Sequence, residues 1–388
     1  MLQHWALDPD VTYLNHGTVG APPRRALEEQ QRLRDEIEKQ PSLFLLRLLA
    51  GVRLGAKHEG RPKLRQAADE VAAFLGARGE DMVFVDNATT GVNAVLQSFD
   101  FRESDEILIL DHAYGATRNA VEYAARRAGA VVRTVELGSD FRSDGDVTNA
   151  LVPAIGPRTR MAVVDHIASD SAVVMPVEEM AAACHKRGVA ILVDAAHAPG
   201  AIPVDIPSLG VDWYAGNLHK WAWAPRSSGV LWTRPPWQPS LHHPVVSWGV
   251  NQGIAMEFDL PGTRDPTPHL AAPAGIAFMR ELGVENVQRY NHELAWNAAA
   301  EMANRWDTRT VAPQSMTGPM ASLFLPERLA STREETVALR DALLFEDRIE
   351  VHVNYWKDRA LLRVSGQIYN DGADIERLIA AIDRRLAG

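Results

Sequence analysis

The chain has 388 residues, 46% apolar and 23% charged, enough for two or three domains around a large buried core. Its formal net charge of −10, with no long basic stretch against it, argues against nucleic acid or an anionic membrane as a partner. A single cysteine, Cys184, excludes an internal disulfide and any multi-cysteine metal site. No basic-then-apolar leader opens the chain, and no apolar run reaches the roughly 18 residues of a membrane span, so a soluble, cytoplasmic protein is expected.

Near-continuous apolar runs at 82–85, 107–110, 131–135, 161–164, 189–193 and 229–232 predict strands covered on both faces. Helical patterns separate them, as at 117–128 and 177–186. Such alternation predicts an α/β fold: a mostly parallel central sheet flanked by helices, with ligands bound beyond the carboxyl ends of the strands. Residues 234–239 and 260–266 read as loops, and about 269–306 turns helical. The remainder mixes strands at 322–325 and 360–364 with helices near 333–344 and 374–386. The expected organisation is an N-terminal arm (1–20), a large α/β domain (21–268), a connecting helical region (269–306) and a small C-terminal α+β domain (307–388).

Each predicted strand ends in polar residues. After residue 85, Asp86-Asn87-Ala88-Thr89-Thr90-Gly91 opens a helix, which suits either a phosphate or a plain N-cap by Thr89 or Thr90. After residue 110 comes Tyr114, an aromatic able to cover a flat ring or to serve as core. After residue 164 comes a polar cluster, Asp165 to Ser169, and after residue 193 comes Asp194-Ala195-Ala196-His197. Two ionisable groups so close are expensive to bury without a partner. The run Asn217-Leu218-His219-Lys220 then supplies one of only six lysines, against thirty-four arginines. An amine that can form an imine and a carboxylate that can keep a ring nitrogen protonated are together what pyridoxal phosphate requires. The plain alternative for Lys220 is a solvated loop residue.

Five segments in order, Asn87-Ala88-Thr89-Thr90-Gly91, Asp194-Ala195-Ala196-His197, Asn217-Leu218-His219-Lys220, Pro261-Gly262-Thr263-Arg264-Asp265 and Leu362-Arg363-Val364-Ser365, resemble the class V aminotransferase superfamily of fold-type I pyridoxal-phosphate enzymes. The nearest likeness is to its isopenicillin N epimerase-like branch, whose members also open with a segment like Tyr13-Leu14-Asn15-His16-Gly17. The resemblance runs from about residue 11 to the C-terminus. It implies a Schiff base on Lys220, Asp194 on the pyridinium nitrogen, His197 on the ring hydroxyl and Tyr114 stacked on the ring. Ala88, Thr89, Asn217 and His219 would hold the phosphate, and Thr263 would reach the phosphate of a second subunit, implying a homodimer with shared sites. Arg363 would clamp the carboxylate of an amino-acid-like substrate, with Asn15, His16 and Ser169 beside it. No metal is implied: the pair His242-His243 has no ligand-spaced companion.

Cysteine desulfurases of that superfamily need a mobile cysteine before the Arg363 strand. Here the stretch 349–356, expected as a loop, has none, and Cys184 sits in an alanine-rich helical pattern. Chemistry beginning with Cα deprotonation remains: epimerisation first, then β-elimination, transamination or decarboxylating deamination. For inversion, Tyr114 or His16 is the candidate second proton carrier. Selectivity would lie in the loops 41–53 and 237–251, the second reading equally as an apolar lid or as a packed surface loop.

Overall fold

The computed structural model describes residues 1–50 and 60–387. At its centre are seven strands: β1 (Met82–Val85), β2 (Glu106–Leu110), β3 (Val131–Val135), β4 (Thr159–Asp165), β5 (Ala190–Ala195), β6 (Trp213–Asn217) and β7 (Gly229–Thr233). They lie in the order β1-β7-β6-β5-β4-β2-β3, and only β7 runs against the others. The expected mostly parallel sheet is present. Helices α1 (Arg24–Lys39), α2 (Lys63–Phe74), α3 (Ala88–Ser98), α4 (Gly115–Ala128), α5 (Asp144–Ala154) and α6 (Val177–His185) accompany it. One apolar cluster on the sheet includes Phe84, Leu108, Val164 and Val193, and another includes Val83, Ile107, Val163 and Leu192, so alternate residues of the same strands fill both faces.

Two strands depart from expectation. β3, the edge strand of the sheet, is only partly buried, with Val131 and Arg133 exposed and Val132 and Thr134 half-buried. β6 carries a glycine and an asparagine that weaken its strand signal, yet all five residues are buried. Gly216 is needed there, since a Cβ would approach Pro199 to 2.7 Å.

After α7 (Ala272–Leu282) and α8 (Val284–Arg305), which break at Gly283 (φ +82°), comes a three-stranded antiparallel sheet of β8 (Met320–Phe324), β9 (His352–Trp356) and β10 (Arg359–Ser365). Helices α9 (Arg333–Phe345) and α10 (Gly372–Ala387) belong to this part. The stretch 349–356, expected as a loop, is instead a two-residue strand and β9, whose hairpin to β10 turns at Lys357 and Asp358, both with φ > 0. The N-terminal arm is not separate. Thr12–Tyr13 pairs in parallel with Ile349–Glu350, and Leu14 is fully buried in the C-terminal apolar cluster.

Arg65 of α2 bridges α2 to the sheet: it donates to Asp259 Oδ1 at 2.6 Å and to the Met82 carbonyl at 2.8 Å, with both side chains of the ion pair buried. Arg65→Ala would leave a buried carboxylate without its hydrogen-bonded cation. A loss of about 3–5 kcal/mol is expected in denaturant unfolding of the cofactor-free protein. The double variant Arg65→Met, Asp259→Leu should recover most of it.

Candidate active site

Parallel strands end at one edge of the sheet, and β4, β5 and β6 deliver Asp165, Asp194 and Asn217 there. A cavity of about 470 Å³ opens at this edge. Nine of the residues singled out in the sequence line it: Ala88, Thr89, Tyr114, Ser169, Asp194, His197, Asn217, His219 and Lys220. Asn15, His16, Thr263 and Arg363 do not.

Asp194 is buried, and both its oxygens are held. Thr117 Oγ1, in the first turn of α4, donates to Oδ2 at 2.6 Å, and the Ala196 amide donates to Oδ1 at 3.1 Å. Burial raises its pKa, against the pull of Thr117, Ala196 and Lys220. Lys220 Nζ lies 3.2 Å from His197 Nε2. Burial, then the Arg363 charge, lowers the Lys220 pKa to about 7. His197 is kept neutral chiefly by burial, and its Nδ1 has no partner among the described residues.

Helix α3 begins at the far end of the cavity. Asn87, rather than Thr89 or Thr90, is its N-cap, accepting from the Thr90 amide at 3.0 Å. Asn217 Oδ1 takes the Ala88 amide at 2.8 Å, so the donors left at this helix start are the amide and hydroxyl of Thr89 and the Asn217 side-chain amide. His219 uses Nδ1 to donate to the Ser228 carbonyl at 3.0 Å, and burial holds its pKa at about 4. It therefore turns an acceptor, Nε2, to the cavity. Tyr114, the N-cap residue of α4, is 47% exposed and free to cover a flat ligand.

His16 was expected beside the substrate but is completely buried. Its Nε2–H donates to the Lys220 carbonyl and its Nδ1 accepts from Tyr369, both at 2.9 Å, so it has no nitrogen left for a substrate. Asn15 bonds Glu350 and Arg363. Arg363, also buried, donates to the Ser169 carbonyl and, at 2.8 Å, to Thr18 Oγ1; its Nε has no partner among the described residues. The cavity wall in front of it is Thr18 and Ser169. Thr263 is exposed, and its neighbour Arg264 has a role within the chain, an ion pair with Asp86 at 2.9 Å.

Of the two readings of 237–251, the lid over the cavity is not seen: Trp237 packs on Phe99 and Trp213, and Trp248 is 89% exposed. Residues 51–53 of the other expected selectivity loop lie outside the described residues. Cys184 is buried in α6 with its thiol pushed up to about 12 by desolvation, which makes it inert. His242 bonds Glu257, and no group of three potential metal ligands occurs among the described residues.

Sequence reasoning passed over Thr117 and Thr18, and it noted Asp165 in a strand-end polar cluster without giving it a role. Thr117 was hidden inside a helical pattern, and Thr18 reaches the cavity only because the arm folds across it. A role for Asp165 could have been read from its strand-end position, which matches that of Asp194.

The residues fit pyridoxal phosphate. An amine that ionises near neutrality, a buried carboxyl in need of a cation, an aromatic face and a helix start with free donors surround one cavity. The arm holds the Lys220 turn in place: a Cβ on Gly20 (φ +68°) would lie 2.0 Å from the His219 carbonyl oxygen. Gly20→Ala should therefore cost at least about 1–2 kcal/mol in unfolding and weaken cofactor uptake. Gly115→Ala, where an added Cβ meets nothing within 4 Å, should do neither.

The aminotransferase class-V family model matches residues 53–378. The putative L-cysteine desulfhydrase 1 of Oryza sativa subsp. japonica is 33% identical, over 97% of this chain and 83% of that protein. The isopenicillin N epimerase of Amycolatopsis lactamdurans is also 33% identical, over 97% and 96%. Among solved structures, C-DES with glycine covalently linked to its pyridoxal-phosphate cofactor superposes with a TM-score of 0.81 at 21% identity, covering 98% of each chain, which is a likeness of fold. With the family model spanning most of the chain and the cavity suited to the cofactor, this chain belongs to the class-V aminotransferase family and is a pyridoxal-phosphate-dependent enzyme.

Proposed function

We propose that the enzyme removes the Cα proton of an amino acid and that loss of a β-substituent follows, as in a C–S lyase. Lys220 carries this reading. It is the single amine lining the cavity among the described residues, and with a pKa of about 7 roughly half of it is neutral at neutral pH, against about one in a few thousand for an ordinary lysine. Held there by Lys220, Asp194 and the α3 N-terminus, pyridoxal phosphate would supply an electron sink for the charge left at Cα. Lys220 takes the proton and can return it to the departing group.

Asp194 supplies the fixed charge for the ring nitrogen, and a cation there relieves its burial. Thr89 and Asn217 face the phosphate at the α3 N-terminus. His219 joins them once its Nε2 is protonated, which a neighbouring dianion favours. Tyr114 covers the ring. Arg363 attracts the substrate carboxylate by its charge from behind Thr18 and Ser169, the Thr18 hydroxyl itself donating to Asn15 Oδ1.

Inversion at Cα is the second reading, supported by the likeness to isopenicillin N epimerase. It needs a second proton carrier, and with His16 tied inside the fold Tyr114 is the candidate left in the cavity. A homodimer also fits. Thr263 shares a pocket with Trp248, and Val246 and Trp248 are 74% and 89% exposed, an apolar surface that suits a partner subunit. A cytoplasmic location agrees with an acidic chain whose one thiol is buried.

Incubation with S-substituted cysteines in deuterated water separates the readings. Keto-acid and ammonia release without racemisation is expected; Cα exchange with loss of optical purity and no keto acid would select inversion instead. Lys220→Ala should abolish the borohydride-fixed link to the cofactor and lower turnover about 10²–10⁴-fold. Below its pKa the amine is protonated and unreactive. The rate of cofactor uptake by wild-type protein should thus rise with pH through about 7, as stopped-flow absorbance would record. Light scattering at micromolar concentration should give twice the chain mass, and a fully active monomer would refute the dimer.

A further inference from the structure

Asp165 ends β4, and its register partner on β5 is Asp194. Partners on adjacent parallel strands point to the same face, so two buried carboxyls lie side by side at the floor of the cavity. They are not equivalent. Asp194 has a donor on each oxygen and the Lys220 charge nearby. Asp165 Oδ2 has no partner among the described residues. The groups that face it are the Asp194 carboxyl from β5, the Asp170 carboxyl from the loop after β4 and the Tyr114 backbone at the start of α4. Two carboxyls this close in a water-poor cavity do not both ionise, and the proton goes to the one with fewer donors.

We propose that Asp165 is a proton-holding positioning residue of the cofactor site: it stays a neutral acid beside ionised Asp194, so the floor presents one negative charge to the ring nitrogen. The proposal rests on Asp194 as the partner of that nitrogen. It carries a further consequence. If Asp194 is neutralised, the repulsion that keeps Asp165 protonated disappears, and Asp165 ionises in its place as a substitute counter-charge.

The sign of the pH effect follows. Burial and the Asp194 charge raise the Asp165 pKa above its unfolded value. Folded protein then keeps a proton that unfolded protein releases, and Asp165 lowers stability progressively as pH rises above the unfolded pKa. Asp165→Asn removes that loss while keeping the size and a donor.

The test measures pyridoxal-phosphate affinity by tryptophan fluorescence, and unfolding of cofactor-free protein, for wild type, Asp165→Asn, Asp194→Asn and the double variant. Expected at neutral pH are a change within about threefold for Asp165→Asn, about tenfold weaker binding for Asp194→Asn, and at least about tenfold more for the double variant, a non-additivity that a packing role does not produce. The melting temperature of Asp165→Asn should equal or exceed that of wild type at pH 8 and vary less between about pH 5 and pH 8. Equal losses in the two single variants, or the same Asp165→Asn effect in both backgrounds, would overturn the proposal. Unchanged affinity in Asp194→Asn, with Lys220→Ala still losing the covalent link, would overturn the reading of Asp194 and this proposal with it.

Discussion

Desolvation at one sheet edge governs this site. Because β5 and β6 are hydrogen-bonded in parallel, with Asp194 opposite Ala215, the carboxyl and the Asn217–Lys220 turn leave the sheet on the same side. Withdrawing that edge from water gives the groups their reactivity. A hydrated lysine at neutral pH is a cation without a free electron pair; burial brings Lys220 to about 7 and exposes the pair. The same burial raises Asp194, which makes a ring cation a favourable ligand for it. The unpartnered atoms Asp165 Oδ2, His197 Nδ1 and Arg363 Nε all gather around this region. Buried polar atoms of this kind weaken a fold, and a sheet packed with apolar residues on both faces offsets them.

The other half of the site is built by the N-terminal arm, which restrains Lys220 from its backbone side. His16 clamps the Lys220 carbonyl, Gly20 packs on His219, and Arg226 donates to the Gly20 carbonyl at 3.1 Å. Trp5 meets Trp223 edge-on at 5.4 Å, and Trp223 is a fully buried aromatic held at φ +60°. Such a backbone is maintained only where its surroundings over-determine it. The strain lies in the turn that follows Lys220, so the arm fixes the lysine main chain while its side chain stays free to change partners. The arm in turn pairs with Ile349–Glu350 near Arg363, and the two ends of the chain thereby meet at one cavity.

What was legible in the sequence follows from the kind of force involved. Apolar runs and strand-end polar residues are local signals, and they pointed to the sheet, Asp194 and Tyr114; Lys220 stood out as a rare lysine and Asn217 through the family resemblance. The role of His16 was not legible, because its partners Tyr369 and the Lys220 carbonyl are distant in sequence and only the fold brings them together. Arg363 was identified, but its screening by Thr18 and Ser169 depends on where the arm comes to rest. β6 escaped because its glycine and asparagine serve close packing against Pro199 and the cap on Ala88, needs that override strand propensity.

These placements bear on the reaction as well as the fold. A shared fold does not carry a shared reaction; the groups in the cavity decide it. Thiol chemistry lacks a nucleophile, since the stretch before β10 is a cysteine-free hairpin and Cys184 is buried in α6. Among the remaining reactions, the number of proton carriers discriminates. Elimination from Cα and Cβ can be served by one group that takes a proton and gives it back, whereas inversion requires a second carrier on the other face. Lys220 ionises near neutrality, while His16, with a pKa of about 4, has both nitrogens committed inside the fold, and His219 is tied to the Ser228 carbonyl through Nδ1 with Nε2 turned to the phosphate end of the cavity. Confining His16 to the lysine backbone thus leaves Lys220 and Tyr114 as the groups lining the cavity that can carry a proton at Cα, one sufficient for elimination and both needed for inversion.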